Sequence, residues 1–342
     1  MATTTNRLAL SSRRTLRVAL GTALCVALSF ALDLPIPVIA PAFALFLLAT
    51  QSRPLSFKAG IALALVVAAT TGSGLLLVPL LRYYALGGVA IVALLLFVAF
   101  RYGLRGGNNL VATFFVAGVT MVSAAGTADF QFGTTVVGAL VKGLLLALLV
   151  TGLVHLLFPE PARARPQPAA APLSAPQAAR IAVRAALVVM PAWLFAMSDP
   201  ATYMPIIMKS VSLGRQSCTV TARNAARELV GSTLFGGLLA IALWFALRLF
   251  VHLWMFFLWT LLFVLLVEGT LNGIGRAWYS ASFRLNSLVT MIILLGQSVQ
   301  DSAAGKDVYS AFAVRMGLFL AVTIYAWLML TLLDRRGVAE NG

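Results

Sequence analysis

The run AGIALALVVAATTGSGLLLVPLL, from Ala59 to Leu81, carries no charged residue and no alternation of polar with apolar positions. It exceeds the roughly 20 residues that a helix needs to cross the hydrocarbon core of a bilayer. Its continuity excludes the period-two pattern of an outer-membrane strand. The same texture returns on either side, at Val18–Leu32, Leu34–Ser52, Tyr83–Phe100, Gly106–Ala128, Gly143–Pro159, Leu229–Leu247, Leu249–Val267, Leu285–Gln300 and Met316–Leu333. Over all 342 residues 61% are hydrophobic and 10% charged, where a soluble domain carries about 25% charged. Too little polar material is left to cover a water-facing surface. The reading is an all-α integral membrane protein of about 12 transmembrane helices.

Spans are expected near 15–32, 35–51, 59–78, 83–100, 108–125, 132–157, 181–198, 200–213, 229–248, 251–268, 285–299 and 308–333. The formal charge of +15 follows from basic residues that flank these spans, the pattern that orients membrane helices, and not from nucleic-acid binding. With the N-terminus inside, 20 of the 25 basic residues fall on the inner side (Arg7, Arg13, Arg14, Arg17, Arg53, Lys58, Arg101, Arg105, Arg163, Arg165, Arg180, Arg184, Lys209, Arg215, Arg223, Arg227, Arg276, Arg284, Arg335 and Arg336), and Arg82, Lys142, Arg248, Lys306 and Arg315 fall outside or within the membrane. Outer loops carry Asp33, Asp129, Asp199, Asp301 and Asp307 instead. The positive-inside rule therefore predicts both termini in the cytoplasm of a cell inner (plasma) membrane. Arg13, Arg14 and Arg17 before an apolar run mimic a signal peptide, but no small-x-small cleavage site follows. The first helix is expected to be retained. Cys25 and Cys218 lie far apart and read as free thiols.

The Pro/Ala-rich stretch at 159–179 reads as a cytoplasmic linker. It divides the chain into residues 1–158 and 180–342, each expected to be a six-helix membrane repeat. Arg13-Arg14-x-x-Arg17 opens the first span and Arg180-x-x-x-Arg184 the seventh. Asp33 corresponds to Asp199, Pro41 to Pro205, Asn109-x-x-x-Thr113 to Asn286-x-x-x-Thr290, and Lys142 to Arg315. Each half begins and ends inside, so the repeats are parallel and would pack about an axis along the membrane normal.

The candidate pathway residues come from this list. Lys142 and Arg315 lie inside spans six and twelve, where a basic group costs about 2.5–3.5 kcal/mol and normally faces water or a counter-charge. Asn109 with Thr113, and Asn286 with Thr290, share a helix face and could line a hydrated route or bond neighbouring helices. Pro41 and Pro205 are expected to break spans two and eight, either for gating or as packing kinks. Glu268, Glu228, Asp33 and Asp199 are candidates for proton coupling. Their competing roles are ion pairs with Arg276 or Arg227 for the glutamates and helix caps for the aspartates. No Walker A, GxSxG or HExxH signature is present, and no acidic cluster for Mg²⁺. An enzyme, a cofactor and a metal site are not expected.

The basic start Arg13-Arg14-x-x-Arg17, the break near Pro41, and Arg227-x-x-x-Gly231-x-x-x-x-Gly236-Gly237 after the basic run at Arg223 resemble the fusaric acid resistance and aromatic acid exporter family. The resemblance is to a compact branch without that family's large cytoplasmic domain. It implies efflux of aromatic acids or related toxic organic anions and a periplasmic membrane-fusion adaptor as partner; a proton-driven mechanism and a homo-oligomer are expected beside it. It also implies that Lys142 and Arg315 line the route. A passive anion channel on the same scaffold and a membrane-integral enzyme or assembly factor for lipid precursors are the competing readings. The major-facilitator fold competes as architecture, but Gln51–Lys58 lacks its loop motif.

Overall fold

Apolar runs of this length leave the backbone no partner but itself, so each becomes a helix. The computed structural model describes residues 2–50, 56–159, 173–218, 224, 226–273 and 280–339. Every regular element among them is a helix. The helices are α1 (Ala2–Ala31), α2 (Ile39–Thr50), α3 (Phe57–Gly72), α4 (Leu77–Tyr83), α5 (Ala85–Leu104), α6 (Asn109–Ala117), α7 (Ser123–Ala128), α8 (Phe130–Leu157), α9 (Ala175–Ala196), α10 (Pro200–Ser217), α11 (Ser232–Leu249), α12 (Leu253–Gly273), α13 (Ala281–Ala303) and α14 (Val308–Ala339). A 3-10 turn at Ser73–Leu76 joins α3 to α4, a π-helical turn at Gly118–Val122 joins α6 to α7, and another at Ala226–Gly231 leads into α11.

Among the described residues nine helical stretches are long and apolar enough to cross a membrane. Ile39–Ala49 and Leu253–Gly269 are shorter apolar helices. The polar α10 belongs to neither group. The chain is therefore an all-α, multi-pass membrane protein. Most of the linker expected at 159–179, and Arg53, Arg223 and Arg276, lie outside the described residues.

Helix starts explain several of the loop acids. Asp129 accepts from the backbone N–H of Gln131 and Phe132 at 3.2 and 3.3 Å and caps α8. Asp199 accepts from Thr202 N–H at 3.2 Å and caps α10. Asp307 does the same for α14 through Tyr309 and Ser310 N–H. The Ser310 hydroxyl, with those N–H groups, holds the Asp307 carboxyl below its ordinary range. Carboxylates at helix N-termini satisfy orphan N–H groups and oppose the positive end of the dipole. Asp33 sits at φ 47, the left-handed position that closes a helix C-terminus. Leu34 N–H reaches back to Ser29 C=O across that turn.

The chain divides into two compact units, and each draws on both halves of the sequence. The first comprises Met1–Ala64, Ala139–Pro168 and Leu234–Ala311; the second comprises Leu65–Gly138, Ala169–Thr233 and Phe312–Gly342.

In the first unit α1 packs along α12, and α2 packs on α1 and α13. Small residues allow the close approaches, as expected where dispersion rather than hydrophobic exclusion drives association. A side chain at Gly236 would meet Ser287 C=O and Thr290, and one at Gly296 would meet Val38. Phe30 and Phe256 pack with ring centroids 5.2 Å apart. Arg14 Nη2 donates to Ala49 C=O at 2.7 Å, near the C-terminus of α2.

In the second unit α9 packs on α10 and α5, and α10 packs on α6, α7 and the π turn between them. The over-wound 3-10 turn lies against the under-wound π turn. A side chain on Gly118 would collide with Thr70 and Thr71 backbone atoms, so glycine is required where the π turn crosses the end of α3. Trp193, fully buried on α9, donates through Nε1 to Ser123 Oγ at 3.3 Å. Val188, Leu213, Leu229, Ala326 and Leu330 form a buried core that holds α14 to α9 and α10.

Pro41 and Pro205 do not interrupt helices as the sequence reading expected. The α2 helix begins only at Ile39, so Pro41 occupies its first turn, and α10 runs unbroken through Pro205. Pro41, in the first turn, forfeits no internal hydrogen bond, whereas Pro205 is interior to α10 and gives up the bond its N–H would have made four residues back.

Candidate functional site: a buried lysine on an enclosed polar helix

Pro200–Ser217 contains Thr202, Tyr203, Lys209, Ser210, Ser212, Arg215 and Gln216, and yet no residue from Tyr203 to Ser217 is exposed. A helix this polar, enclosed on all faces among apolar helices, has its polar groups turned inward. Lys209 stands mid-way along it, about 15 Å from the Asp199 cap at 1.5 Å per residue. Its exposure is 0%.

The Lys209 ammonium lies 5.9 Å from the ring centroid of Phe319, itself 0% exposed. Phe319 and Arg315 are four residues apart on α14 and so lie on one face. That face continues through Thr323, Ala326 and Leu330, all fully buried. Arg315 is half-buried. Thr323 Oγ1 and Thr233 Oγ1 lie 3.4 Å apart, and Tyr325 Oη donates to Leu187 C=O at 3.1 Å, fixing the rotation of α14 against α9. The second unit thus presents a lysine, an aromatic face and an arginine one turn along from that face.

A desolvated cation over a ring gains up to about 2 kcal/mol. A carboxylate is a chemical complement of such a group. An aromatic carboxylate would also stack on the Phe319 side of the site.

At the end of α10, Arg184 Nη2 donates to Ser217 C=O. Cys218 follows. Burial pushes its thiol up to about 11, more than the nearby Arg184 and Arg215 guanidinium groups draw it down.

The remaining candidates fall as follows. Lys142 is exposed on α8 in the first unit, whereas Arg315 belongs to the second. The Thr113 and Thr290 hydroxyls both donate to the asparagine carbonyls four residues earlier, Asn109 at 2.7 Å and Asn286 at 2.6 Å. Asn286 and Thr290 are buried in α13, while Asn109 is exposed at the start of α6. Glu268 pairs with Arg284 at 3.8 Å in the first unit; Arg276, its expected partner, is outside the described residues. Glu228 lies in the π turn before α11, half-buried, and its carbonyl accepts from Ser232 Oγ.

Lys209 was missed in the sequence because it was counted with the inner-side basic residues. The available signal was its position, ten residues past Asp199 in a helix that caps at that aspartate. Trp193, Ser123 and Phe319 carried no signal apart from core packing.

Residues 14–154 match the model of a family described as protein of unknown function (DUF2955). No curated protein and no solved structure matches the chain.

Proposed function

We propose that this chain is an inner-membrane efflux transporter for organic anions, aromatic acids or related toxic compounds, driven by the proton gradient. We further propose that it is built from 12 spans as two parallel repeats on the scaffold of the fusaric acid resistance and aromatic acid exporter family. The observation that carries the reading is Lys209: a cation enclosed at mid-height of a polar helix, against the ring of Phe319.

The packing supports the duplication. In the first unit span one (α1) lies on span ten (α12) and span two (α2) on span eleven (α13). In the second unit span seven (α9) lies on span four (α5) and span eight (α10) on span five (α6 and α7). These are the same two pairings with the halves exchanged. An arginine of the first helix of each pair supports the end of the next helix: Arg14 bonds Ala49 C=O and Arg184 bonds Ser217 C=O. Guanidinium groups there oppose the negative ends of the helix dipoles. The family match, ending at residue 154, fits a first repeat that closes at 158.

The caps support the orientation with both termini in the cytoplasm. Helices that would start outside, α8, α10 and α14, begin with Asp129, Asp199 and Asp307. Helices that would start inside, α6 and α13, begin with the neutral Asn108 and Ser280.

In this reading Lys209 and Arg315 hold the carboxylate, and Lys142 is a further basic residue tested by substitution. Glu268, held by Arg284, is the first candidate for the coupling proton. A periplasmic adaptor and a second copy are proposed partners. Purified protein in liposomes tests the mechanism. The expected result is benzoate accumulation that collapses when the pH gradient is dissipated. Voltage-driven benzoate current indifferent to the pH gradient would instead establish a channel, and chemical change of an added lipid precursor would establish an enzyme.

A further inference from the structure

At one end of the second unit the chain gathers arginine. Leu173 N–H donates to Leu104 C=O at 3.3 Å, which holds the approach to α9 against the end of α5. The two helices pack together. Arg101 in the last turn of α5, Arg105 directly after it and Arg180 in the second turn of α9 therefore stand at the same end of the pair. All three are exposed. The backbone that carries the first two is fixed. Arg105 N–H donates to Arg101 C=O and Gly107 N–H to Tyr102 C=O, both at 3.0 Å, and Gly106 turns the chain with a φ of 91. The Arg101 guanidinium lies 6.0 Å from the ring centroid of Phe97, four residues earlier on α5.

The unit offers little acid to answer this charge. The acidic side chains described in it are Asp129 and Asp199, which cap helices at the opposite end, and the half-buried Glu228. Among the described residues no ion pair engages Arg101, Arg105 or Arg180. Orienting a membrane helix calls for positive charge of either kind. Arginine alone adds a planar fork that meets phosphate oxygens two at a time. Exposed apolar residues lead from the arginines toward the middle of the bilayer, Val98 and Leu94 along α5 and Val183 and Leu187 along α9. Basic groups above an apolar surface match a ligand with an anionic head and hydrocarbon tails. Free phosphate would use the arginines and leave the apolar rows without a role.

We propose that this end of the α5–α9 pair binds one anionic phospholipid, its phosphate held by Arg101, Arg105 and Arg180 and its acyl chains lying along the exposed apolar rows. The site goes beyond the transport reading, because it lies at a helix end and uses neither Lys209 nor Arg315.

The test is native mass spectrometry of the full chain, titrated in detergent with phosphatidylglycerol and with phosphatidylethanolamine. One phosphatidylglycerol should be retained at concentrations where phosphatidylethanolamine is not. Arg101→Gln and Arg180→Gln should each lower the phosphatidylglycerol affinity about fivefold, the scale of one basic residue near a lipid headgroup. Arg180→Lys should fall between Arg180→Gln and the wild type. Lys58→Gln, the same charge change at an exposed position of the first unit, should leave the affinity unchanged. Far-UV circular dichroism checks that each variant is folded. Equal retention of the two lipids overturns the proposal, as does unchanged affinity in Arg180→Gln or an equal loss in Lys58→Gln. Displacement of the lipid by inorganic phosphate would show a free-anion site and reject the lipid. Failure of benzoate transport with lipid retention intact would reject the transport reading and leave this site standing.

Discussion

The ammonium of Lys209 lies 5.9 Å from the ring centroid of Phe319, and both side chains are shut off from solvent. One residue comes from the most polar helix of the second unit and the other from an otherwise lipid-like one. The Phe319 ring therefore reports on how the charge is held. Phe319→Leu removes the quadrupole but keeps an apolar side chain. We predict that it weakens benzoate binding about fivefold, the scale of a partly desolvated cation–π contact. Phe319→Tyr should stay within about twofold, since its ring face is retained. Equilibrium dialysis with radiolabelled benzoate distinguishes these outcomes.

The link from Trp193 to Ser123 ties α9 to the first residue after the π turn. Trp193→Phe and Ser123→Ala should each lower resistance to unfolding. A double-mutant cycle should return a coupling of about 1 kcal/mol, the net worth of a buried neutral hydrogen bond. Steric-trapping measurements of unfolding in micelles would supply the four free energies. Strict additivity would mean that the two residues act independently.

Two glycines in the apolar spans should behave in opposite ways. A side chain at Gly118 meets backbone atoms of Thr70 and Thr71, whereas one at Gly152 meets nothing within 4 Å. Gly118→Ala is expected to cost about 1–3 kcal/mol through overpacking against atoms that cannot rotate away. Gly152→Ala is expected to be neutral or slightly stabilising, because alanine is the better helix former. Thermal aggregation of detergent-purified variants provides the comparison.

Cys218 supplies a pH signature. Its thiol is pushed up to about 11 by burial, against the pull of Arg184 and Arg215. The thiolate is the reactive form, so labelling by a maleimide should accelerate about tenfold per pH unit between pH 8 and 10. Removing the Arg184 charge with Arg184→Gln should slow labelling further at fixed pH, since that guanidinium favours the thiolate. The rate is read by mass spectrometry of the intact chain. A rate flat with pH would mean a thiol already ionised.

Much of the fold could be read from residue order. Runs such as Ala59–Leu81 and Leu285–Gln300 are too apolar and too long to be anything but helices in lipid, and α3 to α4 and α13 occupy those stretches. Asp199 was legible as a helix cap because it stands directly before Pro200, a favoured first helical residue. Packing partners were not legible. Matching offsets lead to the proposal that span one corresponds to span seven, but carry no sign that α1 lies on α12 and α9 on α5. That choice depends on complementary surfaces distant in sequence.

The site was half legible for the same reason. Arg315 stood out as a charge inside an apolar run, and its face of α14 carries Phe319. Lys209 was hidden by its neighbours: it falls inside the span expected at 200–213, but Arg215 beside it groups it with the inner-side basic residues, and only the surrounding helices turn the polarity of α10 inward. Pro41 lies in the first turn of α2, where no internal bond is lost, while Pro205 is interior to α10 and the helix continues through it.

The central claim is that Lys209 holds the carboxylate of a transported organic anion. Uptake of radiolabelled benzoate into proteoliposomes containing equal amounts of inserted protein tests it most directly. Lys209→Met should reduce the initial rate by about tenfold or more, as expected when a charge-assisted contact is lost, while Lys209→Arg retains a measurable fraction. Wild-type uptake by Lys209→Met would contradict the account.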